Sequence, residues 1–258
     1  MQDRILALQQ IVHVLPTESL HLITTILPEA IIGTKEANQN AREAAYDLLI
    51  TMGRKMQQGG TVDNTLLDGM DLESKTASVE EYFLMVSAGL GGSTQHMVSA
   101  TITALSRLLY EFKYDISDQV VNDLISTMEI FLTSKSREIA RSAIGFFKVA
   151  VVSLPKRTLE SRLANLVPNL MVWSHEAKGH FRVKVKGLMD RMVRKFGYET
   201  VLRYTPEEDH KLVNNIRKTR ERKRRGKAKL SEDDEHEEET LKVIILFALF
   251  SNSFLDFK

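Results

Sequence analysis

Two histidines five residues apart are the side chains most suggestive of catalysis in this chain. His175 and His180 bracket the segment HEAKGH, which resembles the zinc-protease pattern H-E-x-x-H but contains one residue too many. Side chains at i and i+5 point well apart on a helix, and Gly179 is expected to interrupt that helix. The Gly-rich run at 89–93 follows a helical pattern and precedes no lysine, so it does not fit a phosphate-binding loop. We therefore predict no enzyme activity, metal, cofactor or small-molecule substrate.

Segregated charge is the more specific chemical signal. The net charge of the chain is only +1, yet residues 178–229 carry 18 basic and 6 acidic residues. Dense exposed positive charge binds nucleic-acid phosphates and also serves as a nuclear localisation signal. We predict one or both roles for the basic residues of the segment 217–229, with a passive solvated surface as the alternative: Arg217, Lys218, Arg220, Arg222, Lys223, Arg224, Arg225, Lys227 and Lys229.

An acidic linker and an apolar tail follow the basic segment. Residues 230–240 carry seven acids and no base, and we expect them to compete with polyanions or to bind basic assembly factors. Ser231 stands directly before three acids and is a candidate site for an acidophilic kinase. The tail 241–258 contains eight consecutive apolar residues, far fewer than the ~20 that a transmembrane helix needs. We predict no membrane contact and regard this disordered tail as of doubtful origin.

The basic segment needs a helix to display it. Thr205 is a candidate N-cap, Pro206 fits the first helical position, and Glu208 has the spacing of a capping box. The sequence therefore predicts a capped helix that runs through residues 205–229. Three apolar residues could dock about two turns of this helix on the body: Leu212, Val213 and Ile216. The helix is expected to project into solvent from Arg217 onward.

Helical periodicity dominates the rest of the chain. Apolar residues recur at intervals of three and four along almost all of residues 1–204, and sustained β alternation is not evident. Breakers separate these stretches at Pro16, Gly33, Gly91-Gly92 and Pro155. The stretches form four predicted helix pairs, namely 17–32 with 36–57, 79–90 with 94–112, 117–133 with 136–153, and 158–173 with 180–196.

The helix pairs repeat at a regular distance. In the second helices, Arg141 lies 42 residues after Ser99 and 41 residues before Arg182. Two-helix periods near 40 to 47 residues are typical of HEAT and armadillo repeats. We predict an all-α, HEAT/armadillo-like α-solenoid over 1–204, with a mobile loop inserted at 57–77. A four-helix bundle of tandem hairpins is the structural alternative.

A basic stripe is also predicted in the last repeat. Arg191 and Lys195 each fall within about 20° of Lys184 on a helical wheel. Because second helices line the concave face of HEAT-type arrays, this stripe could extend the basic surface of the C-terminal helix. Ordinary solvation, with the aliphatic stems packed on the helix, is the equally weighted alternative.

Composition indicates a folded protein of a reducing compartment. Hydrophobic residues make up 43% of the 258 residues, which is too many for wholesale disorder, and there is no Cys. The N-terminus reads as an amphipathic helix and not as a signal peptide. The cytosol or the nucleus is therefore expected.

Four segments resemble a known family. They are GTKEANQNAREAAYDLLITMG (33–53), HMVSATITALSRLLYEF (96–112), RVKVKGLMDRMVRKFGYETV (182–201) and, most specifically, PEEDHKLVNNIRKTRERKRR (206–225). Over about residues 1–229 the chain resembles the C-terminal repeats of ribosomal RNA-processing protein twelve, a nuclear HEAT-repeat protein family of pre-ribosomes. Members are several times longer, and the first helix here has no partner before it, so we expect a piece of a longer solenoid.

The resemblance implies a function that the periodicity does not. It implies a nuclear and nucleolar protein that serves pre-rRNA processing, subunit assembly and export through RNA, pre-ribosomal proteins and nuclear transport factors. One hypothesis is therefore an RNA-binding assembly scaffold. The other is a protein-binding solenoid of the transport-receptor type, whose basic segment is only a localisation signal. The two differ in the salt dependence of RNA binding.

Overall fold

The computed structural model describes residues 1–63, 65, 74–176 and 181–227. Nearly all of these residues are helical, which confirms the all-α prediction. In chain order the helices are α1 (Gln2–Val14), α2 (His21–Gly33), α3 (Gln39–Gln57), α4 (Val79–Ser87), α5 (Gln95–Phe112), α6 (Asp118–Leu132), α7 (Arg137–Ser153), α8 (Lys156–Glu160), α9 (Leu163–Val172), α10 (Phe181–Phe196), α11 (Tyr198–Tyr204) and α12 (His210–Lys227).

The four predicted helix pairs are confirmed, and the fold is a HEAT/armadillo-like α-solenoid. The pairs are α2 with α3, α4 with α5, α6 with α7, and α8 and α9 with α10. The single helix expected at 158–173 is instead two, because the backbone tightens between them. There, the amides of Arg162 and Asn165 donate to the carbonyls of Leu159 and Arg162, each three residues back and each at 3.1 Å.

The chain divides into two compact units, Met1–Phe146 and Phe147–Lys258. In the first unit, small residues let the helices approach closely. A Cβ added to Gly33, the last residue of α2, would lie 2.9 Å from the Cβ of Ala45 in α3. The expected breaker at this position is therefore also a packing position, and a larger residue there would push the two helices apart.

Side-chain caps define where several helices of the first unit begin. Each capping oxygen accepts a hydrogen bond from the backbone amide three residues later, which is worth about 1 kcal/mol per cap. The caps, with their oxygen to nitrogen distances, are Asn38 on α3 (3.2 Å), Ser78 on α4 (3.0 Å), Thr94 on α5 (3.1 Å) and Ser117 on α6 (3.4 Å).

A buried polar network joins three successive repeats of the first unit. The Nζ of Lys35, at the end of the first pair, donates to the Oγ of Ser142 in α7 over 2.9 Å. The Ser142 and Ser99 hydroxyls lie 3.1 Å apart. Burial lowers the pKa of the Lys35 ammonium to about 8. Ser99 thus contacts Ser142, the residue after Arg141, in the following repeat.

The insert expected as a mobile loop has an ordered base. Strands β1 (Thr61–Val62) and β2 (Lys75–Thr76) pair antiparallel, and the Val62 side chain is buried. This short hairpin was missed because two-residue strands carry no periodicity. Residues 64 and 66–73 of the insert lie outside the described residues.

The second unit contains a helix that the sequence did not predict. Gly197 adopts a φ of +96°, which lets the chain turn from α10 directly into α11. The predicted cap of the basic helix was wrong as well. The Thr205 hydroxyl donates to the Val201 carbonyl at 2.8 Å, Glu207–Asp209 form a 3₁₀ turn after Pro206, and α12 begins only at His210.

None of the helices in the described part of the chain is long and apolar enough to cross a membrane.

Candidate nucleic-acid interface

Helix α12 contains all of the predicted basic residues except Lys229, and its first two turns pack on the second unit. Val213 and Ile216 are buried, as predicted, and Leu212 is half-buried. The Tyr198 hydroxyl in α11 donates to the Oδ1 of Asn214 over 2.5 Å. The helix axis is therefore fixed relative to α11 before the basic run begins.

The start of α12 is tied to the turn that follows α9. The buried Asp209 carboxylate accepts a hydrogen bond from the Ser174 hydroxyl at 3.1 Å. The Nε2 of His175 lies 3.2 Å from each carboxylate oxygen of Asp209. Glu208 completes a group whose potential metal-ligating atoms lie within 4.8 Å of one another. His175 thus meets Asp209 in space, while His180, its partner in the HEAKGH motif, lies outside the described residues.

Two of the predicted contact residues serve partly to hold the helix in place. The Arg217 guanidinium lies over the Tyr198 ring, 4.5 Å from its centroid, and its Nε is 3.7 Å from the Glu221 carboxylate. The Nη1 of Arg220 donates to the Asp190 carbonyl of α10 at 3.3 Å. Cation–π stacking and backbone contact extend the docked part of α12 by about one turn beyond Ile216. The expectation that the helix leaves the body at Arg217 was therefore wrong.

Four exposed cations share one face of α12. Their positions fall within about 60° on a helical wheel and lie opposite Val213 and Ile216. They extend along about 21 Å of helix at 1.5 Å per residue. We call them the basic row: Lys211, Lys218, Arg222 and Arg225.

The other predicted cations of the segment fall in different places. Arg224 is exposed beside the basic row. The backbone of Lys223 and Lys227 is helical, and their side chains are outside the described set. Lys229, Ser231, the acidic linker and the apolar tail lie outside the described residues. Lys211 was missed because three apolar residues and two asparagines separate it from the dense charge run.

The predicted basic stripe of α10 is only partly correct. The Nζ of Lys195 donates to the carbonyls of Val151, at 2.6 Å, and Leu154. These are carbonyls at and just beyond the C-terminal end of α7, where a lysine also interacts favourably with the helix dipole. Burial lowers the pKa of Lys195. Lys195 therefore caps α7 and is not a free surface cation.

The remaining two stripe residues act electrostatically on a lysine of α7. Burial, together with the positive charges of Arg191 and Lys184, lowers the pKa of Lys148 to about 8. Burial also lowers the pKa of Arg191. We call Lys148, Lys184 and Arg191 the Lys148 cluster. Lys148 was missed in the sequence because it lies on a different helix and 36 residues before Lys184.

The fold and the candidate interface define a helical-repeat protein in which helix α12 displays exposed cations. Comparison with curated proteins identifies the family of the chain. The chain is 42% identical to ribosomal RNA-processing protein 12 of Saccharomyces cerevisiae over 225 residues, 86% of the chain. It is 41% identical to a putative ribosomal RNA-processing protein 12 of Schizosaccharomyces pombe and 33% identical to a human RRP12-like protein, each over 88% of the chain. The chain belongs to the ribosomal RNA-processing protein 12 family.

The similarity covers a small share of each relative. The chain spans 18% of the Saccharomyces cerevisiae protein, 19% of the Schizosaccharomyces pombe protein and 16% of the human protein. No family model matches it. A designed armadillo repeat protein superposes over 83% of this chain and 91% of its own, with a TM-score of 0.42 and 10% sequence identity. The fold assignment rests on the helix pairs themselves.

Proposed function

We propose that this chain is a non-enzymatic scaffold of ribosome biogenesis that acts in the nucleus and nucleolus. In this proposal it serves pre-rRNA processing and pre-ribosomal subunit assembly and export, binding RNA and assembly proteins, with nuclear transport factors as further partners. The relatives' names support the processing role. The observation that carries the RNA contact is the basic row, four exposed cations on one face of a docked helix.

The anchoring of α12 favours RNA binding over passive solvation. The Arg217 stack on Tyr198, the Arg220 contact with α10 and the buried Asp209 fix α12 from its start to Arg220. A preformed row of cations loses less conformational entropy when it binds than a flexible basic tail does. Phosphate contacts by such a row also release condensed counterions, so affinity should fall steeply as salt rises.

A replacement experiment tests this function directly. The row variant changes Lys211, Lys218, Arg222 and Arg225 to Gln. The control variant also changes four exposed cations to Gln, but at positions outside α12, namely Lys135, Arg157, Lys186 and Arg203. In cells that depend on this protein, the row variant should accumulate unprocessed pre-rRNA while the control variant processes it normally.

The same pair of variants separates the two hypotheses. Loss of nuclear accumulation, with normal RNA binding by the purified row variant, would leave the basic row as a localisation signal on a protein-binding solenoid. Normal pre-rRNA processing with the row variant would refute the proposed role of the basic row.

A further inference from the structure

The Lys148 cluster concentrates positive charge on different helices from the basic row. Lys184 and Arg191 lie seven residues apart in α10, which places them within about 20° of one another on the helix surface. Lys148 belongs to α7. All three side chains are half-buried. A half-buried cation is held in a narrower range of positions than a fully solvated one.

Hydrogen bonds from Lys195 fix the two helices where the cluster forms. The Lys195 ammonium binds the carbonyls of Val151 and Leu154. About one turn back from this contact on each helix stand Arg191 and Lys148. The mutual effect of these cations on the pKa of Lys148 agrees with that placement.

A glycine leaves open space between the two cations of α10. Gly187 lies between Lys184 and Arg191 in sequence, and a Cβ added to it would meet only the Nη1 of Arg191, at 4.0 Å. That Nη1 also donates to the Gly187 carbonyl over 3.1 Å, which holds the guanidinium beside the open position. An arginine has five N–H donors, so this bond leaves others available to a ligand.

The three cations repel one another, and the Asp190 carboxylate acts on Arg191 in the opposite sense, favouring its charged form. The charges of Arg191 and Lys184 both act against protonation of Lys148. A bound phosphate would favour the protonated form of Lys148, since it accepts hydrogen bonds from a guanidinium fork and from ammonium groups at once. The open position at Gly187 provides room for its oxygens.

We propose that Lys148, Lys184 and Arg191 form a binding site for a backbone phosphate of an RNA strand. The inference rests on the RNA-binding role proposed above and adds a second contact point to it. Helix α12 packs against α10, and Arg220 of α12 binds the Asp190 carbonyl next to Arg191. A polyanion that follows the basic row therefore has the Lys148 cluster on the adjoining helix, which favours RNA over a short phosphorylated peptide.

The test compares charge-matched variants of the full chain. The cluster variant is Lys184→Gln with Arg191→Gln. Its control is Arg182→Gln with Lys186→Gln, which removes two exposed charges from the opposite side of the same helix. A third protein, Lys184→Arg with Arg191→Lys, keeps the charge. Binding to single-stranded RNA is measured by fluorescence anisotropy over a salt series, beside the row variant.

The cluster variant should bind RNA roughly tenfold more weakly than the control, and its salt slope should be less steep by about 0.7 to 1.4 units for one or two lost phosphate contacts. The charge-preserving protein should bind within about threefold of the wild type, which excludes a folding defect as the cause. Equal affinities of the cluster and control variants would overturn the inference.

The remaining outcomes distinguish this inference from the proposed function. Weaker binding by the row variant alone would overturn the phosphate site and leave RNA contact in α12. Weaker binding by the cluster variant alone would support the site and refute RNA contact by the basic row. No change in either variant would refute both. If only a phosphoserine peptide loses affinity for the cluster variant, the ligand is a protein and the RNA assignment fails.

Discussion

Replacing Lys35 by Met should change how the stability of the protein depends on pH. The Lys35 ammonium donates a hydrogen bond to the Ser142 hydroxyl at 2.9 Å. Burial lowers its pKa to about 8, while the charge of Glu138 raises that pKa and the charge of Arg141 lowers it. In the unfolded chain a lysine has a pKa near 10.4.

The sign and size of the effect follow from this difference. Between about pH 8 and 10.4 the unfolded chain binds one more proton at Lys35 than the folded protein does, so stability rises with pH. Below pH 8 the lysine is charged in both states, and the unfavourable burial of its charge is fully present. One pKa unit is about 1.4 kcal/mol, so the pKa difference corresponds to roughly 3 kcal/mol over this window.

Urea unfolding followed by circular dichroism, at several values between pH 7 and 10.5, measures the effect. The free energy of unfolding of Lys35→Met minus that of the wild type should be most favourable near pH 7 and should fall by roughly 3 kcal/mol by pH 10.5. Lys148, whose pKa is also near 8, is present in both proteins and cancels in this difference. A difference that stays constant across this pH range would refute the reasoning.

Two further substitutions test the packing and the anchoring of α12. Gly33→Ala should destabilise the protein by about 1 to 3 kcal/mol because its Cβ would meet that of Ala45. The control is Gly145→Ala in α7, where an added Cβ would have no neighbour within 4 Å; it should be neutral or stabilising by up to about 1 kcal/mol. Equal melting temperatures of the two variants would contradict the close approach of Gly33 to Ala45. Tyr198→Leu removes the support of Arg217 and should cost about 1 to 2 kcal/mol in thermal unfolding. It should also weaken RNA binding less than the row variant does, and unchanged stability would show that the stack does not hold the helix.

The repeat helices could be predicted because their information is local. Apolar residues at helical spacing, together with capping residues such as Ser78 and Thr94, specify each helix within its own segment. The error at Thr205 shows the limit of that approach. A threonine followed by proline and acids fits an N-cap, yet the Thr205 hydroxyl binds the carbonyl of Val201 at the end of a helix that was not anticipated. A threonine side chain can hydrogen-bond to the backbone at the start or at the end of a helix. Tertiary packing decides which of the two it does here.

The candidate interface was predicted only in outline for a related reason. Charge density identified the segment 217–229, but it could not separate cations that pack from cations that face solvent. Arg217 and Arg220 are held by Tyr198 and by the Asp190 carbonyl, which are distant in sequence. Once the start of α12 is known, helical periodicity is enough to place the four residues of the basic row on one face.

The basic stripe predicted for α10 was only partly correct for the same reason. Periodicity places Lys184, Arg191 and Lys195 on one face. It carries no information that the carbonyls of α7 take up the Lys195 ammonium, nor that Lys148 joins the other two. Helix-to-helix contacts decide the role of each cation, and a single sequence does not encode those contacts in its local pattern.

The salt dependence of RNA binding by the full chain, compared between the row variant and its charge-matched control, tests the central claim most directly. Each phosphate contact with single-stranded RNA contributes about −0.7 to the slope of log affinity against log salt concentration. If all four cations of the basic row bind phosphates, the slope of the row variant should be less steep than that of the control by about 3 units. Parallel slopes and equal affinities for the two variants would contradict RNA binding by α12.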